Sequence, residues 1–249
     1  MKKDNLIPWG EINFISDSFE LKLKDNLFLK IIRNDHEIQI YYGISQTDIK
    51  KSRFIISRKQ QLFLEPCLPD LPVVIRPESN LSIMSGTVFN TFIEVPITLQ
   101  ITYGSVKKKK LIYEIPIRSL SRSWFGDPDS GEIAYFIDSP MDTKIISKCN
   151  AYSCIYCPVT IINKSSQILS LERMILRVPY LTIYRGDTRY YSGGTRITYR
   201  GQDQVSQIIL QKTSPDIDDN LQVAALPRLE VDSGVLLKSF YFIKTLYNG

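Results

Sequence analysis

The chain has 249 residues, 43% hydrophobic and 23% charged, with 31 Lys and Arg against 26 Asp and Glu for a formal net charge of +5. That composition supplies a packed core and excludes a disordered chain. The small basic excess is scattered, without the concentrated basic face and interleaved aromatics of a nucleic-acid binder, so no nucleic-acid partner is expected.

Met1-Lys-Lys-Asp opens the chain, Pro8 and Trp9 follow, and no apolar run is long enough for a signal core or a bilayer span. The expectation is a cytoplasmic protein with no transmembrane segment. Period-two alternation recurs at residues 19–24, 28–33, 37–42 and 53–57 between turn residues, which predicts strands with one wet face. His36, the only histidine, stands beside Asp35 between two of these strands. Sequence adjacency does not supply the spatial convergence of a catalytic triad, so His36 reads as a turn residue. Residues 71–77 carry Pro at both ends of an apolar run and read as an edge or terminal strand, and 81–84 and 89–94 follow as further strands. Residues 95–103 and 106–117 predict the clearest hairpin, with Gly104-Ser105 as its two-residue loop. Lys107 to Lys110 read as a solvated strand face or a guard against edge pairing, and phosphate or anionic-lipid binding is the sharper alternative.

The stretch 119–136 joins the two strand-rich halves and concentrates special chemistry. It holds Trp124, one of two tryptophans, and the carboxylates Asp127, Asp129 and Glu132 around Pro128, Gly126 and Gly131. Gly126-Asp-Pro-Asp-Ser-Gly131 predicts a tight loop. Residues 119–124 lack β-branched side chains and predict one short helical turn, after which 132–137 return to extended structure. Trp124 is expected to fill the core beneath the loop, with Asp127 bonding loop amides. The candidate ligand-binding set is Trp124, Asp127, Asp129, Glu132 and Tyr135. No metal site is favoured; the alternative is a hard cation held by Asp127, Asp129 and Glu132, or these carboxylates acting as acid and base on a sugar that stacks on the aromatics.

The four cysteines are 67, 149, 154 and 157. Cys149-x4-Cys154-x2-Cys157 has the spacing of the first three ligands of a plant-type iron–sulfur loop, but no fourth Cys follows. An extended strand also sends residues 154 and 157 to opposite faces, so buried thiols without metal, and no cofactor, are expected. Strands are predicted at 153–162, 168–178, 180–184, 189–191, 196–199 and 205–210, with a polar acidic loop at 214–220. Val235, Leu236, Phe240, Ile243 and Tyr247 fall at helical spacing behind Asp232-Ser-Gly, predicting a C-terminal helix. The fold class is therefore all-β, two β-sandwich-like halves at 1–117 and 118–249 with a short C-terminal helix.

Several motifs resemble one family. Leu120-Ser-Arg-Ser-Trp-Phe-Gly-Asp-Pro128, Gly131-Glu132 and Tyr135, then Cys157-Pro-Val159, Asn163, Ser165, Leu171-Glu-Arg173 and Val178-Pro-Tyr-Leu-Thr-Ile-Tyr184 cluster over residues 116–211. With the early Pro8-Trp-Gly10, this pattern is similar to the prokaryotic domain-of-unknown-function family four hundred and thirty-two. The resemblance carries no catalytic residues. It implies a protein partner, a mechanosensitive channel or an envelope-stress protein, because such members are often encoded beside small mechanosensitive-channel proteins. No nucleophile–base pair, phosphate loop or complete metal motif is visible in the sequence. The expected function is a non-enzymatic interaction or scaffold module; the alternative is a cation- or carbohydrate-binding protein using the Asp127/Asp129/Glu132 loop.

Overall fold

A computed structural model describes residues 7–22, 28–43, 48–56, 59–145, 153–201, 206–211, 213–217 and 220–230, with the backbone of 237–238. The fold is all-β: every regular element among the described residues is a strand except one 3-10 turn at Val178–Tyr180. Two compact units arise, Met1–Cys67 with Thr98–Ile117, and Leu68–Ile97 with Arg118–Gly249. This differs from a linear split at 117/118 in one segment, 68–97, which belongs to the second unit. Val73–Pro77 runs parallel beside Glu132–Ser139, and Val88–Pro96 runs antiparallel beside Cys154–Asn163. Pairings of such sequence separation leave no mark in local periodicity, and a parallel pair demands a long crossover.

In the first unit, Ser18–Lys22, Phe28–Arg33, Glu37–Gly43 and Ile49–Ile55 form an up-and-down meander. Alternation buries Leu29, Ile31, Ile38 and Ile40 and leaves their neighbours wetter. A second sheet runs Gly10–Glu11, Gln61–Cys67, Thr98–Ser105, Lys108–Pro116, with Leu62, Leu64, Ile101 and Ile115 fully buried. Tyr113 of this sheet meets Tyr42 and Phe54 of the meander at ring-centroid distances of 5.5 and 5.9 Å, and the Tyr42 and Tyr113 hydroxyls lie 3.1 Å apart.

The hairpin of this unit turns at Val106-Lys107, two residues beyond the expected loop. Gly104 and Ser105 remain in the ladder opposite Lys109 and Lys108. Gly104 has φ 132°, and a Cβ there would collide with the Lys108 carbonyl oxygen. Glycine is required by close strand approach rather than by the turn itself.

The spine of the second unit is Cys154–Asn163, paired with Val88–Pro96 along one edge and, in parallel, with Tyr190–Ser192 and Thr195–Tyr199 along the other. Cys154 to Cys157 are consecutively buried, the near-continuous burial of a strand covered on both faces. A four-stranded sheet runs Ser121–Phe125, Glu132–Ser139, Val73–Pro77, Met174–Leu176, and Leu81–Ile83 pairs with Leu169–Leu171. Asn163, at the end of the spine, is fully buried. Its amide nitrogen donates to the carbonyls of Ile83 (2.9 Å) and Gln167 (2.8 Å), and its Oδ1 accepts from the Ser165 backbone N–H (3.0 Å) and hydroxyl (2.8 Å). One side chain thus ties the spine to the small Leu81–Ile83 sheet with its full hydrogen-bonding capacity in use.

The expected C-terminal helix needs correction where it is described. Leu237–Lys238 pairs antiparallel with Ile208 and Gln207, so the backbone there is extended. The open edge of Gln207–Leu210 offers this segment backbone partners that a helix would forgo. The remaining positions of the helical pattern, including Val235, Leu236, Phe240, Ile243 and Tyr247, lie outside the described residues.

Candidate functional site

Residues 119–136 do not begin with a helical turn. Ser121–Phe125 and Glu132–Ser139 form an antiparallel hairpin in register from Ser121↔Phe136 to Phe125↔Glu132, closed by residues 126–131. The extended backbone lets Phe125 join Val74, Ala134 and Ile175 in a buried cluster against which Phe136 packs. Strand parity then sends Trp124 to the opposite face. Trp124 is 48% exposed, not the core plug expected, and Phe125, 3% exposed, occupies that place.

The indole instead closes the loop. Trp124 Nε1–H donates to the Asp127 carbonyl at 3.1 Å, and the same oxygen accepts from the backbone N–H groups of Gly131 (2.8 Å) and Ser130 (3.3 Å). Asp127 therefore organises the loop through its main chain, while its carboxylate accepts, among the described residues, only a 3.5 Å contact from the Ser130 hydroxyl. A Cβ at Gly131 would lie 2.5 Å from Trp124 Nε1 and 2.7 Å from the Phe125 carbonyl, so a glycine is demanded under the ring. Because half of the indole is already wet, Trp124→Ala is expected to cost about 1–2 kcal/mol, below the roughly 3–5 of a core tryptophan. Urea unfolding would read this directly. Gly131→Ala should lift the indole off the loop and change its fluorescence.

The remaining candidates separate. Glu132 faces the opposite side from Trp124, where it accepts two parallel bonds from Arg177, Nη1 to Oε2 at 2.9 Å and Nη2 to Oε1 at 2.7 Å. Arg177 follows directly on Met174–Leu176, with its side chain 11% exposed. The Tyr135 hydroxyl donates to Asp70 at 2.9 Å; partial burial, then the Asp70 carboxylate, raise its pKa above the ordinary phenol value. Asp127 and Asp129 stand in solvent. Among the described residues, no three His, Cys, Asp or Glu side chains gather as a ligand set. The geometry brings Trp124 and Asp127 together, places Tyr135 on the same face as Trp124, and gives Glu132 to an arginine.

Sequence reasoning missed Arg177, Asp70, Asn163 as a hub, and Ile133, which is 52% exposed and directly opposite Trp124. For Arg177 a signal existed: a lone cation inside Met174-Ile-Leu-Arg-Val-Pro179 demands a buried or half-buried partner.

Cys154 and Cys157 are buried cysteines, and Cys149 lies outside the described residues. Burial pushes the Cys157 thiol up to about 12. Since the thiolate is the nucleophile and ligand form, Cys157 is held in its inert state. With the folded pKa above the unfolded one, its contribution to stability is complete below the unfolded pKa of about 8.5 and is lost as pH rises through that value towards the folded one. Mass-mapped alkylation with iodoacetamide at about pH 8.5 should leave Cys154 and Cys157 unlabelled in the native protein and label both in guanidinium. Native labelling of Cys157 would contradict the burial argument.

Fold and site together define an all-β protein of two compact units, the second presenting a hairpin with an exposed indole braced by its own loop. The chain belongs to the family described as Protein of unknown function (DUF432), whose model matches residues 8–244 and so spans both units. No curated protein and no solved structure matches the chain. Among the described residues no helix is long and apolar enough to cross a membrane.

Proposed function

We propose that the protein is a non-enzymatic interaction or scaffold module that grips a protein partner with the outer face of the 121–139 hairpin. The observation that carries this reading is the cross-strand pair Trp124 and Ile133, about half exposed at 48% and 52% on neighbouring strands. An exposed indole beside an aliphatic side chain is the usual chemistry of an interface anchor. Arg122 and Tyr135, the next cross-strand pair on that face, extend it with a cation and a phenol. Ser121–Phe125 is also the edge strand of its sheet, so main-chain groups stand beside the anchor. The Asp127 carbonyl and the Glu132–Arg177 pair brace the hairpin, which lowers the ordering cost of docking.

The family resemblance points to a mechanosensitive-channel or envelope-stress protein as the partner, met from the cytoplasm. The test is binding of purified protein to a detergent-solubilised small mechanosensitive channel, with wild type and with Trp124→Ser combined with Ile133→Ser. Saturable binding lost in the double variant, at a temperature where its melting curve shows it still folded, supports the reading. Failure of wild type to bind removes the channel partner, and binding untouched by the substitutions removes the hairpin.

One observation favours a second reading, a carbohydrate- or cation-binding loop: the exposed indole stands beside the solvent-facing Asp127 and Asp129. Its tests are oligosaccharide titration followed by Trp124 fluorescence, and melting with millimolar calcium, magnesium or manganese. We expect a flat cation response, because Glu132 is already neutralised by Arg177. A rise that disappears in Asp127→Asn with Glu132→Gln would favour the loop site.

A further inference from the structure

In the first unit, the meander and the hairpin sheet part at one end to leave a groove of about 610 Å³. Its walls include Ile55 and Lys59 from the meander side and Gln61, Tyr103, Lys108 and Lys110 from the other sheet. We propose that this groove binds an anionic small molecule carrying two or more phosphate groups, with its phosphates on the lysines and its less polar body against Tyr103 and Ile55.

Lys108 and Lys110 are two residues apart on Lys108–Pro116 and so share a face, with Ser105 and Tyr103 as their cross-strand partners. Lys109, between them, points the other way: its ammonium bonds Glu65 at 2.6 Å and lies 4.4 Å from the Phe63 ring centre. The sheet thus neutralises the lysine on one face and leaves two on the groove face, for neither of which is an ion pair found among the described residues. Lys59 supplies a third ammonium, shared with Asp17 at 2.7 Å, and among the described residues the groove wall contains no carboxylate. A guard against edge pairing would need no groove and no further cation in its wall, whereas several ammonium point charges lining one groove suit several phosphates at once. The volume falls within the roughly 300–1,000 Å³ of small-molecule sites. Glutamine amides beside the lysines add donors for non-bridging oxygens.

The test uses the full chain and three probes: inorganic pyrophosphate and a nucleoside triphosphate, titrated calorimetrically at low and at physiological salt, and vesicles of phosphatidylcholine with phosphatidylglycerol. Saturable binding should weaken with salt and fall by about tenfold or more in Lys108→Gln with Lys110→Gln, while Lys107→Gln, in the turn and outside the groove, binds as wild type does. Protection of the Tyr103 to Ser105 amides from hydrogen exchange on adding pyrophosphate reads the same site without any substitution. No saturable binding, an equal loss in Lys107→Gln, or binding confined to vesicles of phosphatidylcholine with phosphatidylglycerol would each overturn the proposal, the last in favour of a lipid surface.

Discussion

Asn163→Ala is expected to destabilise the second unit by about 3–5 kcal/mol. The side chain is fully buried and engages both amide hydrogens and both lone-pair directions of its oxygen. Alanine leaves the Ile83 and Gln167 carbonyls and the Ser165 N–H short of a partner in a place water reaches poorly, and each such group costs about 1–3 kcal/mol. Part of that is recovered, because the Ser165 hydroxyl, released from Asn163 Oδ1, lies 3.0 Å from the Gln167 carbonyl and turns its hydrogen there. Asn163→Asp should be at least as harmful although nearly isosteric, since it removes both donors and brings a charge into the core. Urea unfolding with the slope unchanged is the measurement. A loss below about 1 kcal/mol would mean that the hub is hydrated or dispensable.

Arg177→Met is expected to cost about 2–4 kcal/mol at neutral pH. The guanidinium makes two short bonds to one carboxylate, and its side chain is 11% exposed against 26% for Glu132. Removing it strands Glu132 at the mouth of the hairpin, partly desolvated and without a counter-charge; the residual exposure of Glu132 holds the loss below that of a fully buried pair. Arg177→Lys keeps the charge but loses the fork, so it should fall between wild type and the methionine variant. The diagnostic is the cycle with Glu132→Met: removing both partners should restore much of the loss, because no orphaned charge remains. Additive losses would show that the two side chains act independently. The Arg76–Asp138 bond, 2.6 Å long with side chains 52% and 44% exposed, is the internal contrast, and breaking it should cost about 0–1 kcal/mol.

The hairpin illustrates how far local reading reaches. Turn chemistry at Gly126, Pro128 and Gly131 located the loop, and alternation located the returning strand. Neither stated which of the adjacent aromatics faces inward, because one step of register exchanges their faces. The partner that decided it, Val73–Pro77 with Ile175 beyond, lies far off in sequence. The lysine run shows the same limit: its hydrophilicity was plain, but only pairing with Gln61–Cys67 separates Lys109, neutralised by Glu65, from the groove-facing Lys108 and Lys110.

By itself, the sequence determined that this chain is a strand protein, because alternation and turn residues act over a few neighbouring positions, and it placed the hairpin loop and several of the strands. It also carried the family motifs, including Trp124, Gly131, Glu132, Asn163 and Ser165, without the reasons for them. Only the tertiary structure assigned segment 68–97 to the second unit, turned Trp124 outward, gave Glu132 to Arg177 and made Asn163 a hub. Each of these depends on at least one hydrogen bond or side-chain contact between residues tens of positions apart, whose free energy exists only once the sheets have closed.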